Sequence, residues 1–229
     1  DLGMSRGLGD VYKRQDGAGA KSHMSALATA AILAQNGIEP ILQFTTRDRN
    51  RIAIQGDLLG GWALDIPNIL CLYGDEVKGG DQPDTKEVRD LDTIGILRTA
   101  YEIKTKKMYP SGRKINDAPE FFIGGADTPF KINNDFDGLN LVKKINAGVE
   151  FFQTQYVFQK DILKNYMLKL KELGITGKAY FIVGLGVIKS AKSARWMNKN
   201  LFGINIPEKI ISRIEQSNNE SLEGIKICI

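Results

Sequence analysis

Apolar, β-rich runs recur along the chain at residues 38–45, 68–75, 120–127, 150–158 and 179–187, and each ends in polar or small residues. Uninterrupted apolar runs of this kind suit strands buried on both faces of a parallel sheet, where no polar alternation is required. Between them lie segments with helical spacing of apolar positions, at 49–64, 91–103, 137–147, 160–173 and 190–200. A strand–helix alternation repeating every thirty residues or so is the pattern of stacked βα units. Polar residues close every run and no nucleotide-binding glycine fingerprint opens the chain, so the expected fold is an α/β (β/α)8 TIM barrel rather than an open doubly wound sheet. A full barrel takes about 250 residues. The five legible strands in 229 residues therefore predict a truncated barrel carrying about strands three to seven.

Both ends fit that expectation. Residues 1–15 match no element and hold no apolar stretch long enough for a signal peptide, so they read as a non-native or disordered leader ahead of a partial catalytic barrel at 16–229. The last residues, 224–229, read as the start of a helix despite their β-branched alternation.

Composition narrows the function classes. With 42% hydrophobic and 25% charged residues the chain is an ordinary globular sequence. Its net charge of +4 is spread along the chain rather than gathered into a stripe, which argues against nucleic acid as a partner. No window has the apolar length of a membrane span. Cys71 and Cys228 form no metal or redox pair and read as reduced residues of a cytoplasmic protein. The single histidine, His23, is expected near a helix start rather than in a metal site. Gly184-Leu-Gly186 has Lys189 where a dinucleotide fingerprint needs its third glycine, so it reads as a tight strand end.

Chemistry is expected where strands end. The clearest such place is Asn68-Ile-Leu-Cys-Leu-Tyr-Gly-Asp75, followed by the Gly-rich loop Lys78-Gly-Gly-Asp-Gln-Pro83. Asp75 there is either a ligand-facing carboxylate or a turn and cap former. Gln155, inside Phe151-Phe-Gln-Thr-Gln-Tyr-Val-Phe158, is an amide in an apolar run and needs a partner. Asp137, Asn140, Lys143 and Lys144 fall on one face of the helix expected over 137–147 and can converge on one ligand; two lysines on a helix are otherwise a solvated face.

Together with Asp16-Gly-Ala-Gly-Ala-Lys-Ser-His-Met-Ser-Ala26, Gly37-Ile-Glu-Pro-Ile-Leu-Gln43, Thr46-Arg-Asp-Arg-Asn-Arg51 and Asp90-Leu-Asp92, these motifs resemble the methylenetetrahydrofolate reductase family in order and interval, from Asp16 to the end. The resemblance implies a barrel holding FAD that passes a hydride from NADH or NADPH to 5,10-methylenetetrahydrofolate, an activity of one-carbon metabolism and methionine biosynthesis. It also implies self-association or an electron-transfer partner subunit.

Carried over, the family pattern makes Asp75 the catalytic and folate-binding carboxylate beside the flavin and Gln155 the pterin-side amide. Tyr73 and Gly74 contact the flavin through backbone. Asp16 and Ala18 lie in the loop touching the isoalloxazine and ribityl region, and Gln43 stands where some relatives have a flavin-contacting histidine. Asp137, Asn140, Lys143 and Lys144 meet the ribose and diphosphate, with Lys143 where arginine is commoner. The family's general acid, a glutamate on the first strand, has no counterpart here. The cluster Arg47, Arg49 and Arg51 is either phosphate-facing or the exposed start of a helix. Two other readings stay open: a flavin-free pterin-binding barrel of the methyl-transfer kind, and a non-catalytic barrel subunit.

Overall fold

A computed structural model of the chain describes residues 4–6, 11–14, 16–133 and 135–228; for 4–6 and 11–14 it describes the backbone. Strands and helices alternate in the α/β manner expected of the barrel class: β1 (Met4–Arg6), β2 (Val11–Arg14), α1 (Ala26–Gln35), β3 (Glu39–Thr45), α2 (Arg51–Ala63), β4 (Asn68–Leu72), α3 (Thr93–Lys106), β5 (Phe122–Asp127), α4 (Leu139–Asn146), β6 (Phe151–Tyr156), α5 (Lys160–Glu172), β7 (Tyr180–Gly184), α6 (Ala191–Asn200), α7 (Glu208–Glu215) and α8 (Glu220–Cys228). The chain divides into two compact units, Asp1–Gly125 with Val142–Phe151, and Ala126–Leu141 with Phe152–Ile229.

In the first unit β1 and β2 are antiparallel, and β2, β3, β4 and β5 then run parallel in sequence order. Register assigns the faces. Gln43 pairs with Leu70, and Leu70 with Gly124; Leu42 pairs with Ile69, and Ile69 with Ile123. A Cβ on Gly61 of α2 would lie 3.1 Å from the Leu42 Cδ2, so α2 covers the Leu42 face. By alternation Ile41, Gln43 and Thr45 point to the helix-free side. On that side Gly124 leaves room for the Phe151 ring, which stacks on Phe122 with centroids 5.0 Å apart.

The helices form where apolar stripes meet good caps. Ile54, Leu58 and Gly61 give α2 its buried stripe. The Asn50 side chain caps its start by accepting from the Ile52 and Ala53 amides at 3.1 and 3.0 Å. Asp92 caps α3 through the Gly95 amide, and Ser190 and Ser193 form a reciprocal capping box at α6.

In the second unit β6 and β7 are neighbours. Phe152 stacks on Phe181 at 5.3 Å. A Cβ on Gly184 would fall 2.8 Å from the Thr154 carbonyl oxygen, so this glycine is a tight strand end, as its motif suggested. Ile188, Ala191, Ala194, Ile204, Ile206, Ile211 and Ile214 form a separate apolar cluster under α6 and α7.

Several expectations are corrected. Residues 1–15 do not stand wholly outside the fold: β2 adds to the edge of β3, with Val11 opposite Glu39 and Arg14 opposite Leu42. A four-residue run with two basic residues carries little strand signal of its own, and the neighbouring edge supplies the pairing. Helix α1 was not read, because its run of alanines blurs the apolar period. β4 stops at Leu72, leaving Tyr73–Asp75 beyond its end. Helix α4 starts at Leu139, because Gly138 has φ +68 and breaks the turn; Asp137 therefore lies before the helix and off the expected face. At the far end residues 224–228 are helical as expected, but as the later turns of α8, which starts at Glu220, and Ile229 lies outside the described residues.

Packing at Gly124 is directly testable. A Cβ there would sit 2.3–2.7 Å from Phe151 ring atoms, so Gly124→Ala should destabilise the protein by about 1–3 kcal/mol through overpacking. Adding Phe151→Leu should recover part of that loss. Equal urea midpoints for wild type and Gly124→Ala would count against the assigned register.

Candidate functional site

The loops that follow β2, β3 and β4 gather at the carboxyl ends of those strands. They enclose a cleft of about 330 Å³ whose lining includes Lys21, Ser22, His23, Arg47, Asp81 and Gln82. Two of the loops lock together. The Gln82 Nε2 donates to Ser22 Oγ at 2.8 Å, and the Ser22 amide donates to Asp81 Oδ2 at 3.3 Å. A Cβ on Gly80 would overlap the Ala20 carbonyl oxygen at 2.0 Å, so only glycine permits this approach.

Asp75 projects just beyond β4 and is exposed. Its Oδ2 accepts the Gly19 amide at 2.8 Å. It caps no helix, and its Oδ1 has no hydrogen-bond partner among the described residues. Gly74 has φ +88, and a Cβ there would come within 3.1 Å of both Thr45 and Arg47. The glycine is thus required by the protein's own turn. Tyr73 is 47% exposed, with the Arg89 guanidinium 3.9 Å from its ring centroid.

Asp16 has a different role from the one expected of its side chain. Its carboxylate accepts the Thr45 amide at 3.0 Å, the Thr45 hydroxyl at 2.9 Å and the Arg49 guanidinium at 2.5 Å. Arg49 also donates to Asp57 at 2.8 Å. The Asp16 carboxyl is therefore engaged in a largely buried internal network, and only its backbone and that of Ala18, which opens a 3-10 turn at Ala18–Ala20, remain to meet a ligand. Of the arginine cluster, Arg47 is buried in a two-pronged pair with Asp48, whereas Arg51 is 59% exposed at the start of α2, where it pairs with Asp90 at 2.8 Å. Gln43 is 2% exposed on the helix-free face. Its amide has no hydrogen-bond partner among the described residues.

In the second unit Gln155 is engaged: its Nε2 donates to the Phe202 carbonyl at 3.0 Å and its Oε1 accepts the Tyr156 amide at 3.0 Å. Two residues earlier, on the same face of β6, the Gln153 Oε1 is buried without a partner among the described residues. Before α4, Asp137 accepts the Leu139 amide at 2.9 Å. Asn140 and Lys143 are exposed on α4, and Lys144 is half-buried. Lys143 makes no ion pair among the described residues.

A family model described as methylenetetrahydrofolate reductase matches residues 10–229, beginning upstream of Asp16. The chain belongs to that family. The probable methylenetetrahydrofolate reductase (NADPH) of Caenorhabditis elegans is 26% identical over 195 residues, covering 83% of this chain and 26% of that protein. The chain thus spans about a quarter of that curated relative's length. Among solved structures, an uncharacterized protein from Clostridium thermocellum that binds two copies of 5-methyl-5,6,7,8-tetrahydrofolic acid shares the fold with TM-score 0.62 and 16% identity, over 99% of this chain and 70% of that one.

Against the family pattern, the structure brings Asp16, Ala18, Gln43, Tyr73, Gly74 and Asp75 together at one set of strand ends, while Asp137 leaves the face it was to share with Asn140, Lys143 and Lys144. Neither β1 nor β2 carries a carboxylate, so the general acid has no candidate there. Sequence reasoning missed Gln153 and Arg89. A second amide two residues from Gln155 was a usable signal for the first; nothing local marked the second. No group of three or more His, Cys, Asp or Glu among the described residues could hold a metal, and no helix among them is long and apolar enough to cross a membrane. Burial pushes the Cys71 thiol up to about 12, which leaves it inert.

Two outcomes follow. Asp16→Asn leaves Arg49 facing a neutral amide in a largely buried site, which should cost about 1–3 kcal/mol of stability, measured by urea unfolding; a variant as stable as wild type would contradict the network. Glu87, held down to about 2 chiefly by the Arg89 guanidinium and then by the Val77 amide, starts from an ordinary value of 4.5. Because the folded value is depressed, its stabilisation is complete above pH 4.5 and is lost as pH falls toward 2. Protection of the Val77 amide, taken relative to its intrinsic exchange rate at each pH, should fall only in that window, and a fall already at pH 6 would exclude this cause.

Proposed function

We propose that the chain is the flavin-carrying part of a methylenetetrahydrofolate reductase that reduces 5,10-methylenetetrahydrofolate to 5-methyltetrahydrofolate, with NADH or NADPH as hydride donor, in the cytoplasm. The observation that carries this reading is the Asp75 carboxylate, exposed past the end of β4 and steadied by the Gly19 amide, in a chain whose family match spans residues 10–229. The methyltetrahydrofolate bound by the Clostridium thermocellum protein and the NADPH in the name of the Caenorhabditis elegans relative support the same substrate and donor classes.

The residues present fit FAD. The unpartnered buried amide of Gln43 suits the polar edge of a ring system. The exposed Lys143, beside Asn140, suits a diphosphate. When bound, FAD supplies a two-electron carrier between nicotinamide and folate. The protein's own contribution is electrostatic and geometric. Opening the methylene bridge of the substrate creates a cationic iminium, and a fixed carboxylate at Asp75 stabilises that charge as it develops. Gln155 meets the pterin edge by exchanging its bonds to Phe202 and Tyr156 for bonds to the ligand, an exchange whose net cost is small because bonds are replaced rather than lost. The partnerless Gln153 Oε1 gives the same strand face a second acceptor.

The test is a purified protein offered FAD, nicotinamide and folate. It should take up flavin and show its visible band, and Asp75→Asn should keep that band while folate-dependent reoxidation slows by about 100-fold. A colourless protein that refuses added FAD would overturn the flavin reading in favour of a flavin-free pterin barrel. Unchanged reoxidation in Asp75→Asn would remove the aspartate from the mechanism.

A further inference from the structure

Arg89 lies fourteen residues beyond Asp75 in sequence, yet its side chain returns to the same strand end. Its Nη1 donates to the Tyr73 carbonyl at 3.0 Å and to that of Gly74 at 3.5 Å, and its Nη2 donates to that of Asp75 at 3.4 Å. The guanidinium plane also covers the Tyr73 ring, 3.9 Å from its centroid. Its Nε is taken by Glu87, whose other oxygen accepts the Val77 amide at 2.9 Å. All three nitrogens of the fork are therefore committed to the peptide turn that carries Asp75 or to the carboxylate that neutralises the fork itself.

The backbone at Arg89 is unusual in the same place. Its φ is +40, in the left-handed region that a residue bearing a side chain enters only when its surroundings impose it. The imposing contacts flank it: the Val88 amide donates to the Arg47 carbonyl at 2.7 Å, and Asp90 holds both the Arg51 amide and its guanidinium at 2.8–2.9 Å. The chain is pinned on both sides so that this one side chain turns inward.

We propose that Arg89 is a positioning residue for Asp75, setting the direction of the carboxylate by gripping the three consecutive carbonyls of Tyr73, Gly74 and Asp75. This deepens the reading of Asp75 given above and rests on it for the kinetic consequence. Three donations from one rigid fork cannot be reproduced by lysine, a flexible point charge. Arg89 touches neither Asp75 oxygen, so its effect runs through the peptide turn. The carboxylate's one internal partner, the Gly19 amide at 2.8 Å, reports its direction.

The experiment compares Arg89→Ala and Arg89→Lys with wild type in the flavin-loaded protein. Both variants should retain flavin and accept electrons from the nicotinamide donor within about twofold of wild type, whereas folate-dependent reoxidation should slow by about tenfold or more in its limiting rate, with lesser change in folate affinity. Added guanidinium ion at low concentration should restore part of the rate to Arg89→Ala and none to Arg89→Lys, where the ammonium fills the space. Equal loss of both half-reactions in step with lost flavin would make Arg89 merely structural and overturn the proposal, as would wild-type reoxidation in either variant. Should Arg89→Ala fail to fold, Arg89→Lys decides by the same half-reactions. Should wild type take up no flavin, the parent reading falls separately and the grip is judged by hydrogen exchange: the Gly19 amide should exchange about tenfold faster in the variants while amides of β4 keep their rates. Unchanged Gly19 exchange overturns the grip itself.

Discussion

Peptide carbonyls that emerge past the end of a parallel strand have no next strand residue to pair with, and when partly buried they need donors from elsewhere. At the end of β4 this protein meets that need with guanidinium groups. Arg89 reaches the carbonyls of Tyr73, Gly74 and Asp75, and Arg47 adds donations to those of Gly17 and Asp75 at 3.2 and 3.3 Å. The turn that presents Asp75 is thereby held from two loops at once. The left-handed Gly74 and the Asp75–Gly19 bond belong to that same turn, and the loop after it brings Gly80 against Ala20.

The same economy explains why a chain with net charge +4 shows no basic surface stripe around this site. Arg47, Arg49, Arg51 and Arg89 each pair with an acid: Asp48, Asp16 and Asp57, Asp90, and Glu87. The pairs that are half-buried or deeper matter most, because removing one partner strands the other away from water. Charge here orders loops. Outside these pairs, Asp75 is exposed in the first unit, and in the second the Gln153 Oε1 is buried without a partner among the described residues.

Much of the secondary structure was legible. Five strands and five helices fell near their expected places because apolar runs and helical stripes are properties of local sequence, reinforced by caps such as Asn50, Asp92 and Ser190. The failures have local causes as well. Alanines hid α1, two basic residues hid β2, and Gly138 moved the start of α4 past Asp137. In the site, Asp75 was legible because a carboxylate after an apolar strand stands out. Asp16 was legible as important, but its partners Thr45 and Arg49 lie 29 and 33 residues away, and no local pattern announces them. Arg89 was illegible for the same reason: in sequence it is one charge among Glu87, Asp90 and Asp92 in a polar loop.

By itself, then, the amino-acid order determined which segments are strands and helices, which faces are apolar, and that carboxylates and amides fall at strand ends, since each of these depends on neighbours within a few residues. Tertiary structure alone decided which charges neutralise one another and which polar groups are left over. That assignment turns on distances between loops remote in sequence, where a shift of an ångström separates a carboxylate committed to an arginine, as in Asp16, from one that faces outward, as in Asp75.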